Sequence, residues 1–173
     1  MHDSILSLIL WSPLIAAFIV ALLPGKPVEV PRGASLVLAL VPFCLSLYLV
    51  SIFDPTNGQL QLVEHVTWMP SLGVFYSLGV DGFSLWLVVL TTFLTPVIIL
   101  AAWTDINKRA KEFMFFMLVL EWGMIGALLS TDLFLFFMFW ELMLFPMALI
   151  IGIWGGPRRV YASFKFFLYT LLG

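Results

Sequence analysis

Apolar residues run through this chain in long, nearly unbroken blocks, and polar positions collect in the short breaks between them. Five blocks, near 4–23, 34–53, 83–102, 112–130 and 132–154, each supply the roughly 20 helical residues needed to cross about 30 Å of hydrocarbon. A sixth begins near residue 160 in "VYASFKFFLYTLLG" and, at ~1.5 Å per residue, covers only about two-thirds of a bilayer before Gly173. The expected fold is all-α: a polytopic transmembrane bundle of five full spans plus a shortened sixth. Residues 1–173 read as the N-terminal segment of a longer membrane subunit.

Between the second and third blocks the period changes. In "QLQLVEHVTW", Leu60, Leu62, Val66 and Trp68 alternate with Gln61, Val63, His65 and Thr67, which is the period of a strand. "MPSLG" supplies turn chemistry and "VFYSLGV" a returning strand, so an outer β-hairpin is expected. An isolated hairpin is marginal in water, so this one is expected to pack on a neighbouring subunit. His65 reads as a surface strand residue rather than a ligand. Asp81, in "GVDGFS", stands where the third helix starts, as an N-cap or as a functional acid.

Composition identifies the solvent. Of 173 residues, 62% are hydrophobic and 10% charged, against roughly 45–50% and about 25% in a soluble domain, so this is an integral membrane protein. All eight basic residues (Lys26, Arg32, Lys108, Arg109, Lys111, Arg158, Arg159 and Lys165) fall on one side if the helices alternate, which makes that side cytoplasmic and the N-terminus external. The expected site is a bacterial plasma membrane. "MHDSILSLIL" lacks the basic start of a cleavable signal. Trp11, Trp68, Trp86, Trp103 and Trp154 fall near the interfaces as anchors. The net charge of -2 argues against a nucleic-acid partner. One cysteine, Cys44, makes no disulfide framework or CxxC metal site, and reads as a lipid-facing or packing residue.

Two acids interrupt the apolar blocks. Glu121 on the fourth helix lies nine residues above Glu112, and Glu141 on the fifth nine below Asp132, so each is ~13 Å in from opposite faces and the two share nearly one depth. A charge at the bilayer centre costs ~2.5–3.5 kcal/mol on insertion scales, and such residues face a bundle interior or a water path. Desolvation penalises the charged form, and a carboxyl tuned towards neutrality both accepts and releases protons. The competing reading is a permanently protonated acid that hydrogen-bonds neighbouring helices together.

Pro146 frees the carbonyl of Leu142 beside Glu141, and Pro96 follows Thr91, Thr92 and Thr95 on the third helix. Gly123 with Ala127, and Gly126 with Ser130, form small-xxx-small pairs suited to close helix approach. Lys165 either snorkels to the surface or pairs with Glu141 from below. Both histidines lie outside the spans, and the chain has no cysteine cluster, phosphate loop or Ser/His/Asp set. With no cofactor in this chain, the remaining chemistry is proton movement.

"LGVDGFSLWLVVLTTFL", "FWELMLFPM" and "IGIWGGPRRVYASFKFFLYTLLG" resemble the antiporter-like M-type subunits of proton-pumping NADH:quinone oxidoreductase, respiratory complex I, over essentially the whole chain. Membrane-bound hydrogenases and Mrp-type antiporters share that family. The resemblance implies a subunit of about fourteen helices with two inverted repeats, in which the helix-five glutamate, here Glu141, carries protons beside a lysine on a seventh helix, and a helix-four glutamate sits at the position of Glu121. It also implies L- and N-type membrane subunits as partners, with NADH, FMN, iron–sulfur clusters and quinone held by partner subunits. A cation/proton antiporter subunit and a non-conducting membrane scaffold are the alternatives.

The charge pattern makes a direct prediction. A reporter fused after Lys111 or Arg159 is expected in the cytoplasm and one inserted at Gly58 outside. A cytoplasmic reporter at Gly58 would overturn the orientation.

Overall fold

The computed structural model describes residues 4–70 and 73–173. Asp3 of the N-terminal outer segment, and residues 71–72 of the "MPSLG" turn, lie outside the described residues. In chain order the elements are α1 (Ile5–Leu22), α2 (Glu29–Ile52), β1 (Gln61–Met69), β2 (Val74–Val80), α3 (Gly82–Ala101), α4 (Ala110–Leu129), α5 (Leu133–Trp154) and α6 (Arg159–Leu172). Helices α1 to α5 are each long and apolar enough to cross a membrane, while α6 has 14 residues.

The apolar blocks locate these helices to within a few residues except at α2, which begins at Glu29 rather than 34. Polar residues hid that start. Arg32 is buried in the early turns of α2, its Nη2 donating to the Ile106 carbonyl at 2.7 Å and to Asn107 Oδ1 at 2.9 Å. Its charge is therefore matched by the α3–α4 connection rather than by water.

Two carboxylates start helices by satisfying their free amides. Asp81 Oδ1 accepts from Phe83 N at 3.1 Å and Ser84 N at 2.6 Å, and Ser84 Oγ accepts from Asp81 N at 3.0 Å, a reciprocal box at the head of α3. The Ser84 backbone donor, followed by the Ser84 side chain, holds the Asp81 carboxyl below its ordinary pKa. Its contribution is present above the ordinary carboxylate range and is lost as pH falls through the lowered value. Asp132 Oδ1 serves α5 in the same way, accepting from Phe134 N at 2.9 Å and Leu135 N at 3.0 Å.

The hairpin is anchored on helices of its own chain, and its β1 face with Val63, Val66 and Trp68 is exposed. Strands β1 and β2 pair antiparallel, with Glu64 opposite Leu78 and Val66 opposite Tyr76. Register shifts between Gln61 and Glu64 and between Thr67 and Met69 break the simple alternation, and Leu62 sits at φ 53 in the first. The shift turns Glu64 inward. Glu64 Oε1 accepts from Leu6 N at 2.8 Å and Ser7 N at 3.1 Å, and Oε2 accepts from the Ser7 hydroxyl, so a strand residue caps α1. Tyr76 Oη joins Ser7 Oγ at 2.9 Å and receives Trp11 Nε1 at 3.2 Å. On the other edge, the Ser77 carbonyl of β2 accepts from Thr131 N at 2.9 Å in the α4–α5 turn.

Buried side chains form two apolar clusters stacked along the membrane normal. The one on the hairpin side joins Ile9 and Leu10 of α1, Leu49, Val88, Ile125 and Phe139; the one on the opposite side joins Ala16, Ala17, Ala39, Ile99, Met114 and Leu118. Between them, at mid-membrane, lies a layer of different chemistry. It contains buried Pro13, Pro42, Ser46, Thr92, Thr95, Pro96 and Glu121.

Helices α4 and α5 touch through glycine. A Cβ added at Gly123 would lie 3.0 Å from Met143 Cβ, and one at Gly126 would overlap the Phe139 ring. The glycines of the two small-xxx-small pairs therefore serve one interface, with α5.

Two substitutions test these contacts. Gly126→Ala is expected to lower stability by about 1–3 kcal/mol through overpacking on Phe139, read as a drop in the thermal midpoint in detergent. An unchanged midpoint would show that the interface is loose. Glu64→Ala is expected to cost about 1–2 kcal/mol through the lost cap and to speed protease cleavage of the hairpin, with Glu64→Gln intermediate. Equal cleavage rates in all three forms would contradict the anchoring role.

Candidate functional site

Glu121 lies on the stripe of α4 formed by Met114, Leu118 and Ile125, all fully buried like itself. Neither carboxyl oxygen meets the geometry of a hydrogen bond, and Thr95 of α3 is buried in the same layer. Thr95 Oγ1 leans back to the Thr91 carbonyl at 3.3 Å. One turn away on the same helix, Thr92 Oγ1 and Ser46 Oγ of α2 are 2.8 Å apart and buried. Pro96 supplies no amide to the Thr92 carbonyl, so that carbonyl lacks its helical donor.

Glu141 has a different setting. It is half-buried on the α5 stripe that also carries exposed Phe137 and Phe145 and, further down, Ala148 and Gly152. Helix α6 returns along α5, with Ser163 Oγ donating to the Ala148 carbonyl at 2.6 Å. Glu141 stands seven residues, ~10 Å, from Ala148, and partly buried Thr170 stands the same distance along α6 from Ser163, so the end of α6 reaches its level. Glu141 is thus only partly covered.

The α4–α5 contacts fix how the two acids relate. Gly123 faces Met143 and Gly126 faces Phe139, which places Glu141 about one helical turn, ~5 Å, nearer the hairpin end of the bundle than Glu121. The expectation of nearly one depth holds to within that turn. Direction is another matter. Each acid is two residues, about 200° of rotation, from the residues that face the partner helix, so Glu121 looks towards α3 and Glu141 looks away from α4. The helix pair stands between them.

Lys165 does not pair with Glu141. It is two residues from Ser163, which faces α5, and so projects from the far side of α6, exposed, with Nζ 5.9 Å and 5.6 Å from the ring centres of Tyr161 and Tyr169. Among the described residues the one ion pair is Arg109 with Glu112, at 3.3 Å. His65 lies on the exposed face of β1, its ring 4.7 Å from that of Phe75. Asp81 is an N-cap. A groove of about 440 Å³ below the hairpin is lined by Trp11, Trp68, Tyr76 and Trp122 with apolar neighbours and holds neither acid. Cys44 is exposed on α2, and the described residues hold no cluster of three His, Cys, Asp or Glu.

Sequence reasoning missed the Thr92–Ser46 bond. The available signal was Thr91, Thr92 and Thr95 before Pro96; the partner was not visible because α2 is distant in sequence.

Comparison with known proteins agrees with this architecture. Residues 34–127 match the family model described as NADH-ubiquinone oxidoreductase chain 4, amino terminus, and residues 130–173 match the NADH:quinone oxidoreductase/Mrp antiporter transmembrane model. NADH-quinone oxidoreductase subunit M of Rhodobacter capsulatus is 48% identical over 99% of this chain and 34% of its own length. NADH-ubiquinone oxidoreductase chain 4 of Arabidopsis thaliana is 38% identical over 97% of this chain and 34% of its own length. A chain of respiratory complex I from Thermus thermophilus superposes with a TM-score of 0.82 at 25% identity, covering 96% of this chain and 33% of that one. The fold also matches a chain of an archaeal membrane-bound sulfane sulfur reductase, at TM-score 0.80 and 17% identity. This chain thus spans about a third of the length of the curated relatives it matches. With its six helices, its hairpin and the match across residues 34–127, the chain belongs to the NADH-ubiquinone oxidoreductase chain 4 family.

Proposed function

We propose that this chain contributes part of a proton path to a redox-driven pump of the NADH:quinone oxidoreductase type, with Glu141 as the proton carrier and Glu121 as a relay. The observation that carries the reading is the pair of mid-membrane carboxyls one turn apart on close-packed helices. A structural acid needs a hydrogen-bonded partner on a neighbouring helix. Glu121 meets no such geometry, and Glu141 is only partly covered. The energy source lies in partner subunits that hold NADH, FMN, iron–sulfur clusters and quinone. L- and N-type antiporter-like subunits are the membrane neighbours. Glu141, facing away from α4, is placed to meet a cation from a helix beyond α6, whereas Lys165 is turned away.

The membrane is a bacterial plasma membrane with the hairpin outside. In support, Lys26, Lys108, Arg109, Lys111, Arg158 and Arg159 all flank the helix ends opposite the hairpin, with Lys111 Nζ donating to the Ala21 and Leu23 carbonyls that end α1. A second reading, a cation/proton antiporter subunit, draws on the model shared with Mrp antiporters at 130–173. Co-purification with quinone-reducing subunits favours the first and its absence the second.

The test is Glu141→Gln in the full-length subunit of the assembled complex, which keeps size and hydrogen-bonding but cannot ionise. Proton uptake by vesicles is expected to fall about 10²-fold, the lower end of proton-transfer contributions, along with the coupled quinone reduction. Glu141→Asp is expected to retain part of both, and Glu121→Gln to be milder. Full pumping by an assembled Glu141→Gln complex would leave the structural reading standing.

A further inference from the structure

Beneath the hairpin, the groove of about 440 Å³ opens on the exposed surface of the bundle. Val66, Thr67 and Trp68 of β1 and Tyr76 of β2 line the end nearest the hairpin, and Met138 and Leu142 of α5 line the end that runs into the span. From Leu135 to Leu142 it descends seven residues, ~10 Å along α5. Its floor is a set of three packed rings: Trp122 of α4 lies 5.7 Å from Trp11 and 5.3 Å from Phe139, edge-on to the latter. No lining side chain is charged, and Trp11, Met138 and Leu142 each keep more than a third of their surface exposed.

We propose that this groove holds one acyl tail of a membrane phospholipid, with the lipid's ester and phosphate oxygens at the hairpin end. The lining is graded in the same way as the ligand. At the hairpin end, Trp68 Nε1 and the Thr67 hydroxyl make no hydrogen bond among the described residues, and an indole N–H can only donate. The ester carbonyls and phosphate of a phospholipid are acceptors at the interfacial depth where tryptophan sits. Deeper in, Trp122, Leu135, Met138, Phe139 and Leu142 offer an alkyl chain dispersion contacts alone.

A protein helix does not fit the same place. A spanning helix is ~10–12 Å across with its side chains and crosses the whole ~30 Å of hydrocarbon. Laid against Met138 and Leu142, it would have to leave the membrane through the position of Val66, Thr67 and Trp68. An acyl tail enters beside Trp68 and ends inside the groove. The bilayer supplies no hydrophobic force for this, because lipid tails are as apolar as the walls. What holds the lipid is contact with packed rings and the donors at the rim. With no charged side chain in the lining, the groove selects a tail and an ester rather than a headgroup charge. The tail also joins β1 to α5, two elements that no hydrogen bond connects among the described residues.

The experiment uses the full-length subunit in the assembled complex, reconstituted in vesicles of phosphatidylethanolamine and phosphatidylglycerol that contain a phosphatidylcholine with a diazirine midway along one tail. Illumination releases nitrogen, the carbene inserts into neighbouring C–H bonds, and mass spectrometry maps the labelled residues. Label is expected on Trp122 and Leu142. Met138→Trp, which fills the groove from α5, is expected to remove it. Trp68→Phe, which keeps an aromatic ring and loses the N–H, is expected to lower it roughly three- to ten-fold, the range one hydrogen bond supplies. A phosphatidylglycerol probe with the same tail is expected to give the same pattern. Absence of label at Trp122 and Leu142 in a complex labelled elsewhere shows that protein covers the groove and overturns the proposal. Label that survives both substitutions shows bulk lipid passing over the surface and overturns it as well. Label lost in Met138→Trp but unchanged in Trp68→Phe overturns the placement of the ester end at Trp68, and label that appears only with the anionic probe overturns selection by the tail.

Discussion

A carboxyl group held between two apolar clusters is the constraint that the rest of this bundle accommodates. Glu121 is fully buried, and a group of its kind costs several kcal/mol at mid-membrane unless polar partners surround it. The clusters above and below it consist of Ile, Leu, Val, Ala, Met and Phe, none of which helps. Help comes from the layer between. Three helices each place a proline there, α3 adds two buried hydroxyls and α2 one, so the backbone itself supplies polarity where apolar side chains cannot.

The second constraint is the distance between α4 and α5. Gly123 and Gly126 let the backbones approach until Met143 and Phe139 occupy the space a side chain would take. That contact uses one face of each helix and commits the opposite face to something else. On α4 the opposite face carries Glu121 into the bundle; on α5 it carries Glu141 to a flank only partly covered by α6. The helix pair thus stands between the two acids, and each faces its own surroundings.

At the outer end, the hairpin connects helices that the bundle alone would leave loose. Glu64 caps α1, Tyr76 binds Ser7 and Trp11, and Ser77 pairs with the α4–α5 turn. Gly79 lies where Thr131 Cγ2 would come within 2.9 Å of an added Cβ, so the close approach of turn and strand depends on that glycine. The beginning of α1, the hairpin and the top of α5 thus form one hydrogen-bonded cap above the outer apolar cluster.

What the sequence determined by itself follows from local physics. A run of about 20 apolar residues has one stable form in a bilayer, so five helices were legible, four of them to within a few residues at both ends, as were the hairpin and the capping acid Asp81. The acids were visible as charges in apolar runs, and their depth followed from counting at ~1.5 Å per residue. Rotation was not legible. The low-contrast, nearly all-apolar helices carry no polar face to mark which side turns inward, so only contacts between α4 and α5 revealed that Glu121 and Glu141 diverge, and only the Ser163 contact turned Lys165 outward. Tertiary structure alone also brought Glu64 to Ser7, Arg32 to Ile106, and Ser46 to Thr92, pairs separated by 57, 74 and 46 positions. Each is a polar group whose partner is fixed by where two distant segments are packed, and no local pattern encodes that distance.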